Sequence, residues 1–217
     1  MRRDKQISRR SLLAGAGKSV GVVCLAAVSL SAFVETAKKA QANALRPPGA
    51  LPGDDFLAAC VRCGLCVRAC PYDTLKLATF ADDAPVGTPF FIARDIPCFM
   101  CKDVPCAKAC PTGALDRKTD IRQTDMGLAV LVDHENCLNY KGISCSECHR
   151  VCPIRDEAIT LELQVIDKRK MLIPTVHSDK CTGCGTCEKH CVLDHAAIRV
   201  LPRELGQGSA ELSRAKS

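Results

Sequence analysis

Cys60-Val-Arg-Cys63-Gly-Leu-Cys66-Val-Arg-Ala-Cys70-Pro71 is the stretch on which the reading of this chain turns. Its spacing, C-x2-C-x2-C-x3-C-P, returns three times with small changes. Run two is Cys98-x2-Cys101-x4-Cys106-x3-Cys110-Pro111, run three is Cys137-x7-Cys145-x2-Cys148-x3-Cys152-Pro153, and run four is Cys181-x2-Cys184-x2-Cys187-x3-Cys191-Val192. Sixteen of the seventeen cysteines are used in this way. The remaining one, Cys24, lies in an apolar N-terminal stretch and reads as a small hydrophobe.

The repeated spacing is that of thiolates around a [4Fe–4S] cubane. Three cysteines two residues apart let a tight loop wrap three iron corners, and the fourth, beyond it, can ligate a neighbouring cluster. Proline after the fourth cysteine fixes φ and ends the turn. Val192 in run four reads as the loss of that stiffening device and not of a ligand. Four runs imply four [4Fe–4S] clusters held by Cys60, Cys63, Cys66, Cys70, Cys98, Cys101, Cys106, Cys110, Cys137, Cys145, Cys148, Cys152, Cys181, Cys184, Cys187 and Cys191, and hence an electron carrier. Zinc sites built from C-x2-C pairs would leave each triplet with surplus thiols. Disulfide scaffolds are usually short chains and show no recurring triplet.

Residues 1–44 have the layout of an export signal. Ser8-Arg9-Arg10-Ser11-Leu12-Leu13 precedes an Ala/Gly/Val/Leu-rich run to about Val34, and Ala40-Gln41-Ala42 and Ala42-Asn43-Ala44 offer small-residue cleavage sites. Paired arginines before an apolar run resemble a twin-arginine signal, a route that carries folded proteins. Lys18 interrupts the run, which is shorter than the ~20 residues a membrane span needs. The expected location is therefore the periplasm. Residues 1–42 carry eight Lys/Arg against Asp4 and Glu35, which accounts for the whole +6 net charge. The remainder is balanced, so no nucleic-acid surface is implied. Arg62, Arg68, Lys102, Lys108, Arg150, Lys180 and Lys189 lie near the cysteines, where they either offset cluster charge or form an ordinary solvated surface.

A Pro/Gly-rich linker over residues 45–53 leads into a body over 54–202, with motifs at about 54–80, 89–120, 128–163 and 172–202, and a polar tail over 203–217. The first cysteines of the runs fall at 60, 98, 137 and 181, a repeat of roughly 40 residues. Short strand-like segments flank the runs: Phe90–Ala93, Leu128–Val132, Ala158–Leu163, Met171–Ile173 and Ala197–Leu201. The expected fold class is α+β: tandem ferredoxin-like [4Fe–4S] units forming two pseudo-symmetric two-cluster modules, rich in loops, with short strands and short helices. Six Phe, two Tyr and no Trp make a poor organic core, so metal binding and folding should be coupled.

Spacing leaves two ways to pair the runs. Adjacent pairing joins one with two and three with four; nested pairing joins one with four and two with three. The outer runs are regular and the inner two stretched, a symmetry that favours nesting. On that expectation Cys60, Cys63 and Cys66 share a cluster with Cys191, and Cys181, Cys184 and Cys187 take Cys70. Cys98, Cys101 and Cys106 take Cys152, and Cys137, Cys145 and Cys148 take Cys110.

The text between the cysteines narrows the choice. Leu45-Arg-Pro-Pro-Gly-Ala50, Ala69-Cys-Pro-Tyr-Asp-Thr-Leu-Lys-Leu-Ala-Thr79, Ala93-Arg-Asp-Ile-Pro-Cys98, Gly113-Ala-Leu-Asp-Arg117, Met126-Gly-Leu-Ala-Val-Leu-Val-Asp133 and Pro174-Thr-Val-His-Ser-Asp179 resemble the NapG ferredoxin-type proteins of the MauM/NapG family. The match covers nearly the whole chain. It implies a periplasmic relay on the outer face of the inner membrane, working with a polytopic iron–sulfur partner of the NapH kind as part of a quinol dehydrogenase. Electrons would then pass toward periplasmic nitrate reductase. The MauM branch, serving methylamine utilisation, shares the layout and keeps a second acceptor open. Resemblance to multi-cluster electron-transfer subunits also favours nested pairing.

No residue has the setting of a substrate-chemistry catalyst. His134, His177 and His195 read as surface or packing residues, while His149 and His190, inside cysteine runs, could tune a cluster. No G-x-G-x-x-G supports a nicotinamide or flavin site. Two rival readings are an iron–sulfur subunit of a molybdopterin or hydrogenase-type enzyme, and a metal-stabilised maturation factor without redox function.

Overall fold

The computed structural model describes residues 44–166, 169–203 and 205–207, with Ala27, Val28 and Ser31. The twin-arginine segment, Cys24 and the end of the tail lie outside the described residues. Among those described, no helix is long and apolar enough to cross a membrane.

Elements are short throughout. The first half contains α1 (Gly53–Ala59), α2 (Leu65–Arg68), β1 (Lys76–Leu77), β2 (Pro89–Phe90), α3 (Pro105–Lys108) and a 3₁₀ turn over Ile121–Gln123. The second contains β3 (Leu128–Leu131), α4 (Glu147–Arg150), β4 (Ile159–Ile166), β5 (Arg169–Val176), α5 (Thr186–Lys189) and β6 (Ile198–Leu201). Each of α2, α3, α4 and α5 is one turn of four residues that carries a third cysteine and leads toward the fourth. A single turn is far too short to be stable alone. Its rise of about 1.5 Å per residue carries the chain about 6 Å, from one thiol position to the next.

The chain organises as two halves, each closed by antiparallel pairing. In the first, β1 pairs with β2, and isolated bridges join Leu45 to Phe91 and Ala50 to Leu115. The stretch read as a linker is therefore packed into this half: Leu45 is buried, and the Arg46 guanidinium lies 4.8 Å from the ring centroid of the buried Phe56. In the second half β3 pairs with β6, with Leu128 opposite Leu201 and Leu131 opposite Ile198, so the segment before run three closes on the segment after run four. The hairpin β4–β5, in register from Ile159↔Val176 to Ile166↔Arg169, stands between those runs. The strand expectations at 128–132, 158–163, 171–173 and 197–201 correspond to these elements, with the hairpin strands running longer than the sequence suggested.

A continuous apolar cluster threads both halves. Phe56, Phe91, Leu115, Leu128, Ile159 and Ile198 are its largest fully buried side chains, and Cys66, Cys106, Cys110, Cys181, Cys184 and Cys187 belong to it. The cysteines are thus part of the core and not a surface fringe.

Candidate metal centres

The sixteen cysteines gather around four cavities. Cys60, Cys63 and Cys66 line one together with Cys110, and Cys98, Cys101 and Cys106 line a second together with Cys70. In the other half, Cys137, Cys145 and Cys148 meet Cys191, and Cys181, Cys184 and Cys187 meet Cys152. Each triplet takes its fourth thiol from the neighbouring run. The pairing is adjacent, which corrects the nested expectation: Cys191 joins run three and not run one, Cys70 joins run two, Cys152 joins run four, and Cys110 joins run one. The physical reason is local chain closure. The loop between runs one and two returns through β1–β2 and a bond from Thr74 Oγ1 to the Pro97 carbonyl, 3.0 Å. The β3–β6 ladder closes runs three and four. Near neighbours in sequence close the smaller loops, at lower entropic cost. The symmetry of outer and inner spacings carried no such information.

The residue after each fourth cysteine covers the cavity that the cysteine enters. Pro111, Pro71 and Pro153 do so in three sites and Val192 in the fourth, so Val192 keeps the covering role that its motif position implies. Each space, mouth included, measures about 330–400 Å³. Among the described residues no three His, Cys, Asp or Glu side chains converge on a single-ion position. A tetrahedral zinc, with Zn–S near 2.3 Å, would need its thiolates within about 4 Å of one another. Four thiols on apolar walls around a cavity, with no three converging on a single-ion position among the described residues, fit a cubane better.

Repeated loop geometry forms the triplets. The residue preceding the second cysteine is left-handed in three runs, at Arg62 (φ 58°), Met100 (φ 52°) and Gly183 (φ 73°). Run two's two extra residues place Val104 in the same region (φ 43°), just before Pro105 opens α3. The extended gap of run three is held by the buried Asn139. Its Oδ1 accepts from the Cys145 N–H at 2.6 Å and its Nδ2 donates to the Leu172 carbonyl at 2.6 Å, fastening the loop to the hairpin.

Burial dominates the electrostatics. It pushes the Cys66 and Cys152 thiols up to about 11 and those of Cys98, Cys106 and Cys148 to about 12. Cys187, fully enclosed, is raised further. Cys110 is the exception: burial opposes its ionisation, but the Leu115 N–H at 3.4 Å and groups of Thr112 and Gly113 outweigh it and bring the thiol below its usual value. Thiols raised in the folded state stabilise a metal-free fold fully below their unfolded value near 8.5, and that contribution disappears as pH rises through the folded values. Metal binding has the opposite sign, since thiolates are the ligands, so iron retention should fall as pH is lowered.

Packing shows how the sites are ordered. The run-one helix α2 lies against the run-two helix α3, the Cys98 N–H of run two donates to the Cys184 carbonyl of run four at 2.8 Å, and the run-four helix α5 lies against the run-three helix α4. The four sites therefore form a file in the order one, two, four, three. Cys63, in the run-one site at one end, is the exposed cysteine of the sixteen.

Three arginines that sequence reasoning did not single out each bind the carbonyl of a cysteine. Arg117 donates to Cys110 (Nε, 2.7 Å), Arg203 to Cys181 (Nη2, 2.9 Å) and Arg94 to Cys191 (Nη1, 3.0 Å). Arg94 and Arg117 stand in the text between the runs and Arg203 follows run four, and nothing in those positions names a carbonyl acceptor. His149 Nε2 lies 2.7 Å from Asp156 Oδ1, and the His134 ring stacks on Tyr140 at 4.8 Å.

A fold of two cysteine-closed halves, each with two four-thiol sites bridged by one-turn helices, defines a ferredoxin-type iron–sulfur electron-transfer protein. The family model of the 4Fe-4S dicluster domain matches twice, over residues 59–114, which span runs one and two, and 141–194, which run from Cys145 of run three through run four. The chain is 74% identical to the "Methylamine utilization ferredoxin-type protein MauM" of Methylorubrum extorquens, over 96% of this chain and 95% of that one. It is 64% identical to the MauM of Paracoccus denitrificans over 97% and 95% of the two chains, and 55% identical to the "Ferredoxin-type protein NapG" of Escherichia coli over 94% and 89%. The chain belongs to the MauM/NapG family of ferredoxin-type proteins.

The adjacent pairing has a direct chemical readout. Replacing Cys60, Cys63 and Cys66 together by Ser should leave Cys110 as the orphaned thiol, alkylated by iodoacetamide in the otherwise iron-loaded protein. Labelling of Cys191 in its place would restore the nested arrangement.

Proposed function

We propose that the chain is an exported electron carrier with four [4Fe–4S] clusters, held by the sixteen cysteines in the tetrads described. It receives electrons from a quinol-oxidising membrane partner of the NapH kind and passes them on in the periplasm. The observation that carries this reading is the unbroken file of four cysteine-lined sites. A bound cubane supplies one-electron exchange. The protein's own residues supply four thiolates per site, apolar walls that limit water, and N–H groups such as that of Leu115 that stabilise the more negative charge state. The twin-arginine segment supports export after folding, which suits clusters built before crossing.

The physiological setting is proposed as methylamine utilisation, because identity to MauM proteins reaches 74%. Supply of electrons toward periplasmic nitrate reductase is the second reading, supported by 55% identity to NapG. Anaerobic purification should give about sixteen iron atoms per chain, with magnetically interacting cubane signals on reduction. Zinc, or far less iron, would sink the carrier reading. Deleting the gene in its own host separates the settings. A defect in growth on methylamine supports the first, and a defect confined to nitrate respiration supports the second.

A further inference from the structure

We infer that Arg94 is the positioning residue that fixes the run-two site against the run-four site, so that two halves become one file. Arg94 stands four residues before Cys98, on the segment leading into run two. Its side chain crosses to the other half. Nη1 donates to the carbonyls of Glu188 at 2.6 Å, Lys189 at 3.2 Å and Cys191 at 3.0 Å, and Nη2 to those of Leu193 at 2.6 Å and Asp194 at 3.4 Å. These carbonyls lie at and beyond the C-terminus of α5; that of Glu188 also accepts the Cys191 N–H at 3.3 Å, while those past the helix have left its ladder. A planar fork with several donors suits this cluster of acceptors, and an ammonium does not.

Two further contacts place the same boundary at the thiol sites themselves. The Cys98 N–H donates to the Cys184 carbonyl at 2.8 Å, a backbone bond directly between a residue of one site and a residue of the next. Gly185 has φ +88°, and a Cβ there would sit 2.6 Å from the Ala93 Cβ, so the backbone of run four comes against the residue beside Arg94. Arg94 closes this contact from outside: it grips the turn that carries Cys187 into the run-four site and Cys191 into the run-three site. Removing it should loosen the junction while leaving each half's own sheet and tetrads in place.

The inference rests on the reading that the tetrads hold clusters, and the test separates the two. The full chain is purified anaerobically as wild type, Arg94→Ala and Arg94→Lys. Arg94→Ala is expected to keep wild-type iron. The EPR spectrum of its fully reduced form should simplify to the sum of two independent two-cluster spectra. Hydrogen exchange at the Cys98 amide and across residues 186–194 should quicken by about tenfold or more, as loss of charge-assisted hydrogen bonds implies. Arg94→Lys should fall between the two. An Arg94→Ala spectrum and exchange pattern identical to wild type would overturn the proposal, as would iron loss with all cluster interactions gone, which would make Arg94 a general fold residue. If the wild type itself lacked iron, the cluster reading would fail, and the exchange measurement alone would still decide whether Arg94 holds the junction.

Discussion

Stripping iron from the purified protein with an anaerobic chelator is expected to unfold most of the chain. The reasons lie in what remains once the metal is gone. Each of the four helices that carry a third cysteine is a single turn of four residues, which cannot persist without tertiary anchors. Among the described residues, two of the three sheets have strands of four residues or fewer. The core cluster counts six buried cysteines among its members, so its centre is made of groups whose partner has left. Structural metal sites contribute about 10 kcal/mol or more each to folding in small domains, which exceeds the whole net stability of an ordinary one. Far-ultraviolet circular dichroism and amide exchange should therefore show loss of protection in both halves, with the β4–β5 hairpin the last ordered element, since its eight-residue strands pair along their full length. Retention of native exchange protection by the iron-free chain would contradict the coupling.

The second large effect is predicted for Gly183→Ala. Gly183 has φ +73°, and an added Cβ would lie 2.4 Å from the Gly127 carbonyl oxygen. The methyl group meets backbone and not a side chain that can turn away. Positive φ and the clash together should cost about 3–5 kcal/mol, lowering the melting midpoint of the loaded protein by about 6–20 °C. Gly113 provides the control: its φ is +76°, yet nothing lies within 4 Å of a Cβ built there. Gly113→Ala should thus cost only the conformational part, about 1–2 kcal/mol. Equal midpoints for the two variants would show that the close approach of Gly183 to Gly127 carries no weight.

The contrast between these two glycines shows where sequence reading stopped. Both stand in obvious turn contexts, and nothing local distinguishes them. The difference comes from Gly127, more than fifty positions away from Gly183 in the chain and brought beside it where the Met126 N–H donates to the Thr182 carbonyl at 3.0 Å. The four runs, their one-turn spacers and the strands around Leu128 and Ile198 were legible because each is a local pattern. Which triplet receives Cys70, Cys110, Cys152 or Cys191 was not, because that choice is made by loop closure. The inference from symmetrical spacing led to the wrong partner. Arg94, Arg117 and Arg203 were invisible for a related reason. Their acceptors are backbone carbonyls, which leave no mark in a sequence. Asn139 was equally hidden, although the enlarged gap in run three marked a loop that needed an internal fastener.

The exposure of Cys63 at one end of the file bears on how the protein would fail in air. Solvent-accessible thiolates are the ones that oxidants reach first. Cys106, Cys181, Cys184 and Cys187, in the two middle sites, are buried and reached late. Damage by oxygen should accordingly begin at the run-one end and proceed inward, shortening the file from its tip and not breaking it in the middle. A partly oxidised molecule would keep its central sites and lose one terminal site, an ageing pattern set by the order in which the chain stacks its four sites.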